Sequence, residues 1–221
     1  MLQRVVEIII IRIIHWYYLI KKKLEWPFLR NVFHYCYLKY HGVDTNYGDV
    51  QLFGLPIIQR IHGSSIIIEK GSILVSSSNM NVAGINHPVI LSTLAEGAVI
   101  HIKEGCGISG SSICAAYRIE LGEDSYLGAN SCVYDTDFHP LAAVARKNQK
   151  SILCADSGPV TVGKNVWIGA NALVLKSVQV GDRAVIGAGA IVTKDIPADS
   201  IAAGNPAKVI RSIEKLNQGI V

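Results

Sequence analysis

The chain has 221 residues, half of them hydrophobic, and its 21 basic and 17 acidic side chains leave a formal net charge of +4. That is enough apolar material for one sizeable core or two small domains. The mild charge, without a long basic run, excludes a nucleic-acid surface and leaves at most an anionic ligand or surface. The five cysteines (Cys36, Cys106, Cys114, Cys132, Cys154) are odd in number and show no CxxC spacing. Neither a disulfide framework nor a cysteine zinc site is therefore indicated, and a reducing cytoplasm is the natural reading.

Residues 1–20 are strongly apolar and are followed by Lys21, Lys22 and Lys23. They contain neither an uninterrupted apolar core nor a small-residue cleavage site, so they do not read as a signal peptide. Arg4, Glu7, Arg12 and His15 break the run, which argues against a spanning helix. On a helix those four residues form one polar stripe beside a wide apolar face. Two readings follow: the face packs on the rest of the protein or on a neighbouring subunit, or residues 1–23 lie in a membrane surface with Trp16, Tyr17, Tyr18 and the lysines at the interface. Residues 24–60, with Pro27, Gly42, Gly48, Gly54 and Pro56, read as a connecting region, and His34 and His41 within it as ordinary structural residues.

From Ser64 the chain becomes strand-like and acquires a period of six. Ile102, Ile108 and Cys114 keep the step, one residue slips, and Leu121, Leu127 and Val133 resume it. Between 160 and 192 the period is regular: Val162, Ile168, Val174, Val180, Ile186 and Val192 recur every sixth residue. Four of these are followed by glycine, at 163, 169, 181 and 187, and an apolar residue sits two places before each. Six fits neither a helix at 3.6 nor a strand alternating at two. It fits a short strand plus a turn, three to a coil, with the aliphatic residue pointing into a triangular prism. Glycine after the aliphatic residue is expected to allow the tight corner. No coil buries its own inner face, so stability comes from stacking on neighbours. Roughly six coils of about 18 residues fit the strand-like stretch.

The repeat breaks between Val133 and Val160, where an insert begins Tyr-Asp-Thr-Asp-Phe-His-Pro at 134–140. An insert of this length in a compact solenoid is usually functional. Asp135 and Asp137 flank His139; each has the chemistry either to fix an imidazole tautomer or to close a turn with its own backbone.

The repeats, the 135–140 loop, Asn-Val-Trp-Ile-Gly-Ala at 165–170 and Ala-Gly-Asn-Pro-Ala-Lys-Val-Ile-Arg at 203–211 together resemble the hexapeptide-repeat acyltransferases, and within them the sugar O-acetyltransferases. The resemblance covers about residues 64–212 and implies a mainly β chain: a left-handed parallel β-helix over 61–200 with a catalytic loop at 134–159. An N-terminal helical segment and connecting region over 1–60 and a short C-terminal tail at 201–221 would complete it. It further implies a homotrimer with sites between subunits, acetyl-CoA as donor and no metal. His139 would be the general base, with Asp137, from its place beside it in the sequence, the candidate to assist: an imidazole titrates near neutrality and takes the proton from an acceptor hydroxyl as that hydroxyl attacks the thioester. Backbone N–H groups would hold the tetrahedral oxyanion. The residues matching the coenzyme side are Trp167, Ala170, Ala188, Thr193, Lys194, Lys208 and Arg211, the basic ones suited to its phosphates. On the acceptor side Ser109, Ser111 and Tyr117 are candidates, but the acidic partner of the maltose and galactoside enzymes is missing, which favours a glycan or lipid-linked sugar of a surface polysaccharide. Three other readings compete: a serine or antibiotic hydroxyl as acceptor, a γ-type carbonic anhydrase drawing on His62, His87, His101 and His139, and a non-catalytic scaffold.

Overall fold

Strands of two to five residues do not stand alone; here each strand inside a sheet is hydrogen-bonded to its equivalents one coil up and one coil down. The computed structural model describes residues 27–150 and 154–213. Their strands form three sheets of six, eight and six members, and neighbours within a sheet are three strands apart in the chain until the last turn. Pairing is parallel everywhere except at the terminal strand. The first sheet runs from Val43–Asp44 to Gln179–Val180, the second from Val50–Phe53 to Lys208–Ser212, and the third from Ile57–Gln59 to Ile191–Val192. The result is a three-sided parallel β-helix of six full coils, five of them within the stretch from Ser64 on where roughly six were expected.

The solenoid begins at Val43, not at residue 61. Its first coil occupies the stretch expected to be a connecting region, with strands Val43–Asp44, Val50–Phe53 and Ile57–Gln59 pairing onto the second coil. A buried threonine, Thr45, stands where later coils carry an aliphatic residue, which hides the repeat. The helix Pro27–Tyr40 precedes this coil and closes the end of the prism: Leu38 is fully buried in the core, and the Tyr37 hydroxyl donates to the Pro56 carbonyl at 2.6 Å. At the other end Ser200–Ala203 joins the second sheet and Lys208–Ser212 folds back on it antiparallel, so the expected tail is partly sheet. The suggested membrane contact of residues 1–23 lies outside the described residues. Among those described, no helix is long and apolar enough to cross a membrane.

The inward stacks are continuous. Ile102, Leu121, Val162 and Val180 fill the first side, and Ile108, Leu127, Ile168 and Ile186 the second, all at most 2% exposed. Each such side chain contributes about 1.5–3 kcal/mol by burial. On the third side the inward residues are Ile113, Val133, Val174 and Val192. The expected register is corrected here: Ile113 faces in, and Cys114 lies on the outer surface beside Tyr134. The corner holding Gly110 is one residue short, with five residues from Ile108 to Ile113, and the next corner is two residues long, with eight from Ile113 to Leu121.

The glycines that follow the aliphatic residues serve a different purpose from the one expected. None of Gly122, Gly128, Gly163, Gly169, Gly181 and Gly187 has positive φ. A Cβ on Gly169 would lie 2.5 Å from the backbone nitrogen of Ala188 in the next coil. The left-handed residue of the corner comes two places later: Asp124, Asn130, Asn165, Asn171 and Arg183 all have φ between 54° and 59°. Asn and Asp tolerate that conformation better than other side chains. Close coil-to-coil approach, and not turn geometry, therefore excludes a side chain after the aliphatic residue.

Candidate active site

The insert leaves the corner between the third and first sheets, after strand Cys132–Tyr134, and is fastened at its root. Asp135 is completely buried, and its carboxylate accepts from the backbone N–H of Ala116 (2.6 Å) and of Tyr117 (2.8 Å) at the same corner one coil earlier. Burial pushes its carboxyl up, while those hydrogen bonds pull it down. The two ends of the insert then zip together: Gly158 N–H donates to Asp135 O, Thr136 bridges Ser157, and Asp137 N–H donates to Asp156 O. The Asp137 carboxylate pairs with Lys176 at 3.0 Å.

Next comes a γ-turn. His139 N–H donates to Asp137 O at 2.7 Å across Phe138, whose φ is 60°. This is the strained form of the turn, and such strain collects at functional sites. Thr136 Oγ1 accepts from Phe138 N–H at 3.2 Å, and the Phe138 ring stands edge-on to Tyr134 with centroids 5.2 Å apart. His139 is thereby presented on the exposed side of the loop. Its Nδ1 lies 2.8 Å from Gln149 Oε1, and Gln149 Nε2 donates to Phe138 O at 2.9 Å. The short helix Ala143–Lys147 spans the interval, with Arg146 Nη1 donating to the carbonyls of Pro140 and Leu141.

Asp137 does not reach the imidazole. The expectation that it assists His139 is corrected: its carboxylate is engaged by Lys176, and Gln149 occupies the ring position instead. Ser111 is also corrected. It is fully buried, its hydroxyl held by Ser131 Oγ at 3.0 Å and by the carbonyls of Ser109 and Gly128 at 3.2 Å, so no sugar reaches it.

The remaining expected residues fall into groups. Tyr117, 58% exposed, shares the third-to-first corner with the His139 loop. Thr193 and Lys194 follow the last strand of the third sheet at that corner, one coil beyond Lys176. Ser109, Ala170 and Ala188 stack at the second-to-third corner, where Asn130 N–H donates to Ser109 O and Gly189 N–H to Ala170 O. Trp167 projects from the second sheet beside Tyr126, both more than half exposed. Lys208 and Arg211 lie on the strand that ends this sheet. One chain therefore does not bring His139 together with Ala170 and Ala188, because the third sheet separates their corners. The four histidines of the metal reading are also dispersed: His101 Nε2 pairs with Glu69 at 2.6 Å on the first sheet, His87 Nδ1 contacts the Pro88 carbonyl ahead of the third, and His62 lies in the turn before the first. Gln149 and Lys176 carried no sequence signal. Gln149 lies in a stretch without period, and Lys176 reads as an ordinary corner residue of the repeat.

Residues 159–194 match the family described as the hexapeptide repeat of succinyl-transferase. The galactoside O-acetyltransferase of Escherichia coli (strain K12) is 35% identical over 174 residues, which cover 72% of this chain and 81% of that protein. A putative acetyltransferase of Saccharomyces cerevisiae is 44% identical over 55 residues, 25% of this chain and 28% of the relative. Among solved structures, a point mutant of AntD, an N-acyltransferase from Bacillus cereus in complex with dTDP-4-amino-4,6-dideoxyglucose and coenzyme A, shares the fold at 18% identity and a TM-score of 0.52, covering 82% of this chain and 92% of that one. The six-residue solenoid, the histidine loop at its corner and the match along most of the E. coli enzyme agree: the chain belongs to the hexapeptide-repeat acetyltransferases.

Proposed function

We propose that this protein transfers an acetyl group from acetyl-CoA to a hydroxyl of a sugar, in a surface polysaccharide or its precursor, with His139 as general base. The observation that carries this reading is the presentation of His139: an exposed imidazole on a strained turn, its Nδ1 held by Gln149, at the start of a loop zipped to the solenoid. Nε2 is left for the acceptor proton. A hydroxyl is a poor nucleophile at neutral pH, and a positioned base is worth about 10²–10⁴ in rate. The hydroxyl oxygen bonds to the acetyl carbon, the carbon–sulfur bond breaks, and the proton taken by His139 passes to the departing thiolate. No covalent enzyme intermediate is required.

The residues present fit the donor. Ala170 and Ala188 leave the corner backbone uncovered, and Gly189 beside them has open space around it. Trp167 offers an exposed flat ring for a long pantetheine arm, and Lys194, Lys208 and Arg211 are exposed cations suited to phosphates. Bound there, the donor supplies an acetyl thioester, and these residues hold and orient it. Because the His139 corner and the Ala170–Ala188 corner belong to different edges of one prism, the complete site forms where two chains meet, in a homotrimer. Tyr117 and Ser109 would face the acceptor from those two edges. All five cysteines are free, in keeping with action in a reducing cytoplasm.

Release of free thiol from acetyl-CoA, measured across a panel of sugars, glycans, serine and aminoglycosides, tests the activity and finds the acceptor. His139→Ala is expected to lower kcat by about 10²–10⁴ with the KM for acetyl-CoA retained. Full turnover in that variant would refute His139 as the base, and turnover confined to serine or antibiotic acceptors would refute the sugar.

A further inference from the structure

We infer that Gln149 is the residue that fixes the tautomer of His139, in place of a carboxylate; the inference rests on the reading of His139 as the base. The argument needs no observed hydrogens. The Phe138 carbonyl only accepts, so the end of the Gln149 side chain 2.9 Å from it is the NH2 group. The other end, 2.8 Å from His139 Nδ1, is therefore the amide oxygen. That oxygen also only accepts, so Nδ1 carries the proton and the neutral ring keeps its lone pair on Nε2. The Phe138 γ-turn makes this possible by turning its carbonyl toward the side chain that holds the next residue. Gln149 is itself set by the loop: its N–H donates to Arg146 O at the end of the short helix.

The two acids that flank His139 in sequence are spent elsewhere. Asp135 is buried under the Ala116 and Tyr117 N–H groups, and Asp137 pairs with Lys176. The charged groups of the loop are Asp135, Asp137 with its partner Lys176, Asp156, Arg146, Lys147 and Lys150, and Lys194 stands at the same corner one coil beyond Lys176. A neutral amide orients the imidazole without adding the Coulomb attraction for imidazolium that a carboxylate in the same place would supply. Gln149 is thus a positioning residue and touches no reacting atom.

Three variants of the full-length protein test this, with thiol release from acetyl-CoA read against pH and thermal unfolding run alongside. Gln149→Leu is expected to lower kcat by about 10–100-fold, part of what a positioned base contributes, with the KM for acetyl-CoA within about twofold and the melting temperature unchanged. Gln149→Glu keeps an acceptor for Nδ1 and is expected to recover part of kcat, while the ascending limb of kcat against pH moves to higher pH. His139→Ala is the reference. If it retains turnover, the reading of the base fails, whatever Gln149 does. If it is inactive while Gln149→Leu keeps the kcat and pH profile of the parent, the inference about Gln149 fails alone. A Gln149→Leu whose melting temperature and KM change along with kcat, beside a Gln149→Glu whose pH limb does not move, would also overturn it, since the residue would then only brace the loop.

Discussion

Replacing Gly169 by alanine separates two explanations for the glycines of the repeat. A Cβ there would lie 2.5 Å from Ala188 N, 2.8 Å from Ile186 O and 2.9 Å from Ala188 Cα, all backbone of the following coil. Carbon contacts settle at about 3.5 Å or more, so the two coils must part by roughly 1 Å. The ladder bond from Gly169 N–H to Ile186 O, 2.8 Å long, lies in the path of that movement. Its loss costs about 1 kcal/mol, and overpacking adds about 1–3 kcal/mol. Gly189 is the contrast: it has φ +70° and nothing within 4 Å of an added Cβ. Alanine there meets only the left-handed penalty of about 1–2 kcal/mol. At about 2–4 °C per kcal/mol for a chain of this size, Gly169→Ala should lower Tm by roughly 10 °C and Gly189→Ala by about half that. Circular dichroism melts at one fixed protein concentration measure both, because assembly shifts Tm by mass action. Equal losses, or a larger loss for Gly189→Ala, would refute close approach as the reason for glycine after the aliphatic residue.

Two further substitutions test the packing around the site. Asp135→Ala strips two backbone N–H groups of their acceptor, at about 1–3 kcal/mol each; it should lower Tm at least as much as Gly169→Ala, whereas His139→Ala should leave Tm unchanged, and a melting curve like that of the parent would mean that Asp135 does not anchor the loop. On the first sheet, a hydrogen bond and charge from Lys103 hold the Glu120 carboxyl below its ordinary 4.5 against the opposing effect of burial. A carboxylate depressed on folding contributes stability above its unfolded value, and that contribution is lost as pH falls through the folded value. Melts at about pH 7, 5 and 3.5 should therefore show Glu120→Gln losing less stability on acidification than the parent; parallel losses would remove Glu120 from the acid response.

The regular half of the solenoid was legible because each position in it answers to one demand. Val162, Ile168 and Val174 fill the prism, the small or slim residue two places earlier fits the corner, and glycine lets the next coil approach. The first half obscured the same architecture at specific residues. Thr45 breaks the aliphatic column of the first coil, and the corner between Ile108 and Ile113 is one residue short. That single shortening turned Ile113 inward and Cys114 outward, and it also carried Ser111 into the interior, where its hydroxyl meets Ser131 instead of a ligand. A serine in the sequence does not declare its side of the wall; only the register does. Gln149 was illegible for another reason. Its role depends on a contact ten residues away across an irregular loop, and no periodicity connects the two.

The position of His139 within the insert has its own logic. The insert is zipped by Thr136 with Ser157 and by Asp137 with Asp156, so its ends are fixed by the solenoid. Once they are fixed, lengthening what lies between costs little, about 0.6 kcal/mol per doubling of a flexible loop. His139 comes two residues beyond the zipper, held through the γ-turn at Phe138 and through Asp137 to Lys176. The placement of its backbone is therefore independent of the loop's length and composition. The orientation of its ring is not, because Gln149 reaches it from beyond the short helix, and the helix must end where it does for the amide to span Phe138 O and Nδ1. Position is set by the part of the insert that reads as a motif, and tautomer by the part that does not. Changes within 141–150 should for that reason act on kcat and its pH dependence far more than on the stability of the solenoid.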